Sequence, residues 1–203
     1  MRLGIFGGSF DPVHFGHLHL AAACLEKCPL DQVWFVPAAS SPHKQDRIQT
    51  PAALRADMLE RATAADPRYG VCTLELERGG VSYTVDTLTE IRQQHADAKL
   101  FLLLGADSLF DLPTWRRPEE ICRLATPVVV ERPGSPRADF AVLERLLSPQ
   151  SLVKIAPRRI EMPARDVSSS EIRRRVADGV GIEALTSAAV AEYIEQQQLY
   201  RDA

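Results

Sequence analysis

Gly4-Ile5-Phe6-Gly7-Gly8-Ser9-Phe10-Asp11-Pro12-Val13-His14-Phe15-Gly16-His17 is the stretch whose reading decides the fold. Upstream, Arg2 to Phe6 is a short apolar run stopped by two glycines, which predicts a buried strand and a tight loop. Downstream, Phe15 to Lys27 places Leu18, Ala21, Ala22 and Leu25 at three- and four-residue spacing, which predicts a helix; Pro29 blocks its continuation. Strand, glycine turn and helix in that order open a parallel α/β sheet. Ligands of such sheets bind beyond the carboxyl ends of the strands, where the topology switches direction.

Working outward, Val33 to Val36 is a second strand closed by Pro37, and Ala38 to Gln49 is loop-like. Thr50-Pro51 supplies an N-cap and a first-turn proline for a helix to about Ala65, with Leu54, Met58 and Leu59 on its apolar face. Val71 to Leu76 alternates as a strand and is broken by Arg78-Gly79-Gly80. Ser82 to His95 reads as a helix, Lys99 to Leu104 as the most apolar strand, and Pro127 to Val130 as another. One or two short strands follow residue 150, then helices between Ser168 and Gln198. The expectation is one α/β domain over residues 1–203, a doubly wound parallel sheet of order 3-2-1-4-5. Residues 1–150 form its core and 151–203 a small helical C-terminal extension.

Composition bounds the function. At 203 residues, 45% hydrophobic and 25% charged, the chain matches a soluble globular protein rather than a disordered, collagenous or disulfide-stapled one. The longest apolar run, Leu100 to Leu104, falls far short of the roughly 20 residues of a membrane span, and the N-terminus lacks a signal-peptide core. Cytoplasmic localisation is expected, with no membrane partner. Cys24, Cys28, Cys72 and Cys122 form no Cys-x-x-Cys pair and read as buried, inert thiols. A net charge of −3 argues against a nucleic-acid face, so an anionic ligand must be held by local features.

Those features lie in the opening stretch. Gly7 and Gly8 let backbone N–H groups approach an anion, and the helix start beyond adds unpaired N–H groups and a positive dipole end. His14 and His17, three apart, share one side of the helix start and can donate hydrogen bonds to phosphate oxygens, and Gly16 is read as leaving room for a ligand against the backbone. The bland reading is a glycine turn with two incidental histidines. A second phosphate signal is Ser168-Ser169-Ser170-Glu171-Ile172-Arg173, where hydroxyls, helix-start N–H groups and Arg173 suit a triphosphate. Its bland reading is a capped, solvated helix. Gly-Lys-Ser/Thr, Gly-x-Gly-x-x-Gly and His-Glu-x-x-His are all absent, which weighs against P-loop kinases, dinucleotide oxidoreductases and a protein-caged metal.

Gly7 to His17 resembles the signature of nucleotidyltransferases with a His-x-Gly-His motif, in the form found in bacterial nicotinate-nucleotide adenylyltransferases. The resemblance runs on through Pro42-His43-Lys44, Ser82-Tyr83-Thr84, Gly105-Ala106-Asp107-Ser108, Pro113-Thr114-Trp115, Glu131-Arg132-Pro133-Gly134 and Val167 to Arg173. Val167 and Ser170 stand where the family usually has Ile and Thr, and they keep shape and hydroxyl.

The resemblance implies transfer of AMP from ATP to nicotinate mononucleotide, giving deamido-NAD and pyrophosphate, with Mg2+ carried on the ATP phosphates. It implies that His14 and His17 bind ATP phosphates, His17 being the main transition-state contact. Gly7, Gly8, Ser9, Phe10, Gly105, Asp107, Ser168, Ser169 and Arg173 are then nucleotide contacts, while Arg132 serves either ATP or only its own loop. Ser82, Tyr83, Thr84 and Trp115 would hold the pyridine ring and its carboxylate, and Lys44 the mononucleotide phosphate. Without the resemblance, Ser82-Tyr83-Thr84 is an ordinary N-cap, Trp115 a half-buried core residue and Lys44 solvated surface. Two alternatives stay open: the same chemistry on nicotinamide mononucleotide, phosphopantetheine or glycerol phosphate, and a non-catalytic nucleotide sensor. Oligomeric state is open as well, a homo-oligomer included.

Overall fold

Strand β1 (Arg2–Gly8) lies inside a six-stranded, all-parallel sheet, pairing with β2 (Gln32–Pro37) on one edge and β4 (Lys99–Gly105) on the other. With β3 (Tyr69–Val71), β5 (Ala125–Glu131) and β6 (Arg159–Glu161), the order is β3-β2-β1-β4-β5-β6. The computed structural model describes residues 1–40, 49–131, 139–144, 146–149, 159–161 and 167–201. The expected 3-2-1-4-5 order holds, and β6 extends it by one strand.

Two-residue periodicity splits each central strand between two cores. Leu3 and Ile5 of β1, Leu100, Leu102 and Leu104 of β4, and Val129 of β5 face one layer. There they meet α4 (Thr84–Gln94), α5 (Ala106–Asp111) and α6 (Pro118–Leu124) through Val85, Leu88, Ile91, Leu109 and Ile121. Phe6, Phe101, Leu103, Val128 and Val130 face the other layer. Their neighbours come from α1 (Phe15–Lys27), α2 (Ala52–Thr63), α7 (Ser169–Ala177) and α8 (Ala188–Gln196): Leu20, Met58, Leu59, Ile172, Val190 and Ile194. Burial on both faces explains why β4 reads as an unbroken apolar run, each leucine contributing about 1.5–3 kcal/mol.

Three segments differ from expectation. The strand expected over Val71 to Leu76 ends at Val71, and Leu74–Arg78 forms a short helix, α3. The alternation misled because Glu75 does not face solvent. It is buried, and its carboxylate accepts a 2.6 Å hydrogen bond from Thr87 Oγ1. Helices α5 and α6, with the 3-10 turn Leu112–Thr114 between them, had no counterpart in the sequence reading. At six and seven residues they span fewer than two full turns, too few to show a period. Helix α2 begins one residue late, with Pro51 at the cap position rather than in the first turn.

Candidate active site

A cavity of about 470 Å³ opens at the carboxyl ends of β1 and β4, a size usual for small-molecule sites. Gly7, Gly8, Ser9 and Phe10 of the turn after β1 form one wall, with His17 from α1. Opposite stand Ser82, Tyr83 and Thr84 at the start of α4, then Gly105 and Asp107 after β4, and Trp115 after the 3-10 turn. The structure thus brings His17 and Gly105 to the same cavity.

Within the turn the glycines differ. A Cβ on Gly7 would meet nothing within 4 Å, so the space above it belongs to the cavity, whereas Gly8 is covered by the Phe10 ring at 3.0 Å. Phe10 adopts φ 49°, a strained value for a non-glycine residue, and is held there by its buried ring, which meets Phe6, Phe35 and His17 at 5.0–5.7 Å. His14 lies behind His17 rather than on the cavity wall: it is buried, and the two rings stack with centroids 3.7 Å apart. The room expected at Gly16 is taken up, since a Cβ there would come within 3.0 Å of the His14 ring. The glycine therefore admits an imidazole, not a ligand.

His17 is oriented by the backbone. The His14 N–H donates to His17 Nδ1 at 3.3 Å. An Nδ1 that accepts carries no proton, so the ring's N–H sits on Nε2, as a donor.

The carbonyls of the turn are turned away from the cavity and held by the scaffold. Ser9 O accepts from Arg55 Nη1 at 2.6 Å, and Asp11 O from Arg173 Nη1 at 2.6 Å. Pro12 O accepts from Ser169 Oγ at 2.9 Å, and Val13 O from Thr186 Oγ1 at 2.9 Å. In a trans peptide the following N–H points the opposite way, so holding Ser9 O and Pro12 O sets the amides of Phe10 and Val13. The Asp11 carboxylate, also buried, accepts from Tyr200 Oη at 2.7 Å and from the Thr50 N–H at 3.4 Å. Burial and that carboxylate push the Tyr200 phenol well above its ordinary pKa.

On the same cavity Tyr83 caps α4, and nothing among the described residues accepts from the N–H groups of Thr84 and Val85. Ser82 is buried, its Oγ accepting from the Ala39 N–H at 3.0 Å and its own N–H bonding Ser40 O at 2.9 Å. Arg116 lies 4.6 Å over the Tyr83 ring and pairs with Asp86 at 3.2 Å. The Trp115 indole N–H is buried without a hydrogen-bond partner among the described residues. Asp107 is exposed at the cavity wall.

Ser168, Ser169 and Arg173 sit beside the turn rather than on this wall. Ser168 caps α7, its Oγ accepting from the Glu171 N–H at 3.1 Å, and Arg173 Nη2 reaches Ser170 Oγ at 3.3 Å. Arg174 and Arg175 pair with Glu171 at 2.7 and 2.8 Å, on the side of the helix away from the Arg173 contact to Asp11 O. Lys44 and Arg132 lie outside the described residues. Sequence reasoning missed Arg55, Glu75, Arg116 and Tyr200. The first is a charge between apolar neighbours on a helix, which reads as solvent-facing until its partners are seen. Among the described residues no group of three or more His, Cys, Asp or Glu is placed to hold a metal ion, and no helix is long and apolar enough to cross a membrane.

The cytidylyltransferase-like family profile matches residues 5–175. A protein of Thermus thermophilus named "Probable nicotinate-nucleotide adenylyltransferase" is 43% identical over 201 residues, covering 99% of this chain and 100% of its own. One of Thermomicrobium roseum with the same name is 42% identical over 200 residues, covering 98% and 92%. In fold, the chain is similar to Plasmodium falciparum nicotinic acid mononucleotide adenylyltransferase complexed with NaAD, with TM-score 0.73, 19% identity and coverage of 100% and 98%. A strand, a glycine turn bearing two stacked histidines and a shared cavity thus agree with full-length relatedness: the chain belongs to the cytidylyltransferase-like family, among the nicotinate-nucleotide adenylyltransferases.

Proposed function

We propose that this enzyme transfers AMP from ATP to nicotinate mononucleotide, releasing pyrophosphate and forming deamido-NAD. The observation that carries the reading is two donor sets on one cavity: His17 with the Gly7–Phe10 turn after β1, and the helix start at Thr84. ATP phosphates suit the first. The mononucleotide phosphate, already anionic, attacks the α-phosphorus in line, and the bond to the bridging oxygen of pyrophosphate breaks. Such a nucleophile needs no strong general base, so the protein's work is positioning and charge stabilisation. His17 Nε2–H donates to phosphate oxygen as charge shifts toward the leaving group.

The second donor set selects the acceptor. The backbone at this helix start offers only N–H groups, which match a carboxylate oxygen and would set donor against donor with a carboxamide NH₂. Trp115 stacks on either pyridine ring alike. In this reading Lys44 meets the mononucleotide phosphate, Asp107 a ribose, and Arg132 with Ser168, Ser169 and Arg173 of the 151–203 extension completes the ATP side. Divalent magnesium fits this donor set: with no group of three or more His, Cys, Asp or Glu among the described residues placed to cage it, it would be carried on the ATP phosphates and keep several waters. When bound, it neutralises phosphate charge.

The test is a turnover assay with Mg-ATP and, separately, nicotinate mononucleotide, nicotinamide mononucleotide, phosphopantetheine and glycerol phosphate. The reading expects deamido-NAD and pyrophosphate in equal amounts from the first and far slower reaction from the others. ATP binding without transfer to any acceptor would make the chain a nucleotide sensor.

A further inference from the structure

Arg55 is the most deeply buried charged side chain among the described residues, at 1% exposure, and its hydrogen bonds go to backbone carbonyls rather than carboxylates. Its Nε donates to Thr50 O at 2.8 Å, Nη1 to Ser9 O at 2.6 Å, and Nη2 to Ala38 O at 2.6 Å and Ala39 O at 3.3 Å. These carbonyls belong to different walls. Ser9 is in the turn assigned to ATP phosphates. Ala38–Ala39 and Thr50 are the two ends of the segment that bears Lys44, and the Ala39 N–H passes the connection to Ser82, at the start of α4. One planar guanidinium therefore joins the nucleotide turn to the acceptor side.

A buried cation is a poor device for stability alone. Its desolvation is costly, and the hydrogen bonds it makes to four carbonyls go to offset that cost. What it supplies is a fork of fixed geometry that a lysine cannot reproduce. Resting on the adenylyl-transfer reading above, we propose that Arg55 is a positioning residue for the transfer step, setting the distance between the α-phosphate of ATP and the attacking mononucleotide phosphate. Each substrate still finds its own wall when that fork is lost; what fails is their alignment.

The molecule contains its own control. Arg92 makes a similar fork onto backbone carbonyls, reaching Ala98 O, Ala96 O at 3.3 Å and Leu124 O at 2.9 Å, but these lie just before β4 and β5, at the end of the sheet opposite the cavity. The experiment compares Arg55→Lys with Arg92→Lys in the full chain, by Tm, by kcat and KM for both substrates, and by calorimetric Kd for ATP and for nicotinate mononucleotide each alone. Both variants should lose Tm. Arg92→Lys should keep kcat within about twofold, while Arg55→Lys should lose about 10- to 100-fold in kcat with both Kd values held within about threefold. If Arg55→Lys does not fold, Arg55→Gln, which is shorter, uncharged and still carries an N–H donor, should show the same split. Two results would overturn the role: kcat preserved as in Arg92→Lys, or Kd values rising in proportion to the loss of kcat. The wild-type enzyme in the same series separates the two readings. Absence of AMP transfer by wild type refutes the function and this role together, whereas an active wild type with an unimpaired Arg55 variant refutes only the role of Arg55.

Discussion

Replacing His17 by alanine should cost far more in turnover than in binding, and the structure sets the size of the effect. The ring is held by the His14 N–H on Nδ1 at 3.3 Å, by the stacked His14 ring at 3.7 Å, and by the rings of Phe10 at 5.0 Å and Phe6 at 6.0 Å, among other contacts. With Nδ1 accepting, the ring's N–H is on Nε2, and His17 stands on the cavity wall in a fixed orientation before any substrate arrives. Removing one such preorganised donor typically costs about 2.7–4 kcal/mol at the transition state, or about 100- to 1000-fold in kcat. In the ground state the same donor is one hydrogen bond among several, worth about 0.5–1.5 kcal/mol, so KM for ATP should rise no more than about tenfold. His17→Gln places an amide N–H near the position of Nε2 and should recover part of kcat. The assay is steady-state pyrophosphate release with Mg-ATP and nicotinate mononucleotide, alongside Tm to show that the fold is intact. Turnover of His17→Ala within twofold of wild type would refute the reasoning, as would a loss carried wholly by KM.

Trp115→Ala should raise KM for the acid and amide acceptors by similar factors and leave their ratio intact; a collapsed ratio would move discrimination from backbone to indole. Tyr200→Phe removes a 2.7 Å bond to a buried carboxylate and should lower unfolding free energy by about 1.5–3 kcal/mol, read by urea titration; an unchanged midpoint would show Asp11 satisfied otherwise. Asp66 accepts from Arg68 at 2.6 Å, which holds its pKa down at about 2. Because the folded value lies below the unfolded one, its stabilisation is present above about pH 4 and is lost as pH falls through about 2. The stability gap between wild type and Asp66→Asn should therefore close between pH 5 and pH 2, and a constant gap would contradict the sign.

The order of strands was legible because β1 and β4 are buried on both faces and so carry unbroken apolar runs. The glycine turn was legible because Gly7 needs open space at the end of β1. Other features were hidden for physical reasons. Glu75 alternates with Leu74 and Leu76 as a strand residue would, and only the Thr87 hydroxyl, twelve positions away, makes its burial tolerable. Arg55 looks like a solvated helix charge because its acceptors are backbone carbonyls, which every sequence has and no sequence pattern marks. Tyr200 lies 189 positions from Asp11, and a contact of that separation leaves no local signature. The spacing predicts room for a ligand at Gly16, and the structure fills that room with the His14 ring, a contact that no sequence pattern marks.

The central claim is that AMP passes to the acid form of the pyridine mononucleotide. One competition measures it directly: limiting Mg-ATP is consumed in an equimolar mixture of nicotinate and nicotinamide mononucleotides, and the dinucleotides are separated and weighed against the pyrophosphate formed. The account predicts deamido-NAD in excess over NAD by about tenfold or more, as donors facing donors cost about 1–3 kcal/mol, with pyrophosphate equal to total dinucleotide. NAD as the major product, or ATP consumed without either dinucleotide, would contradict it.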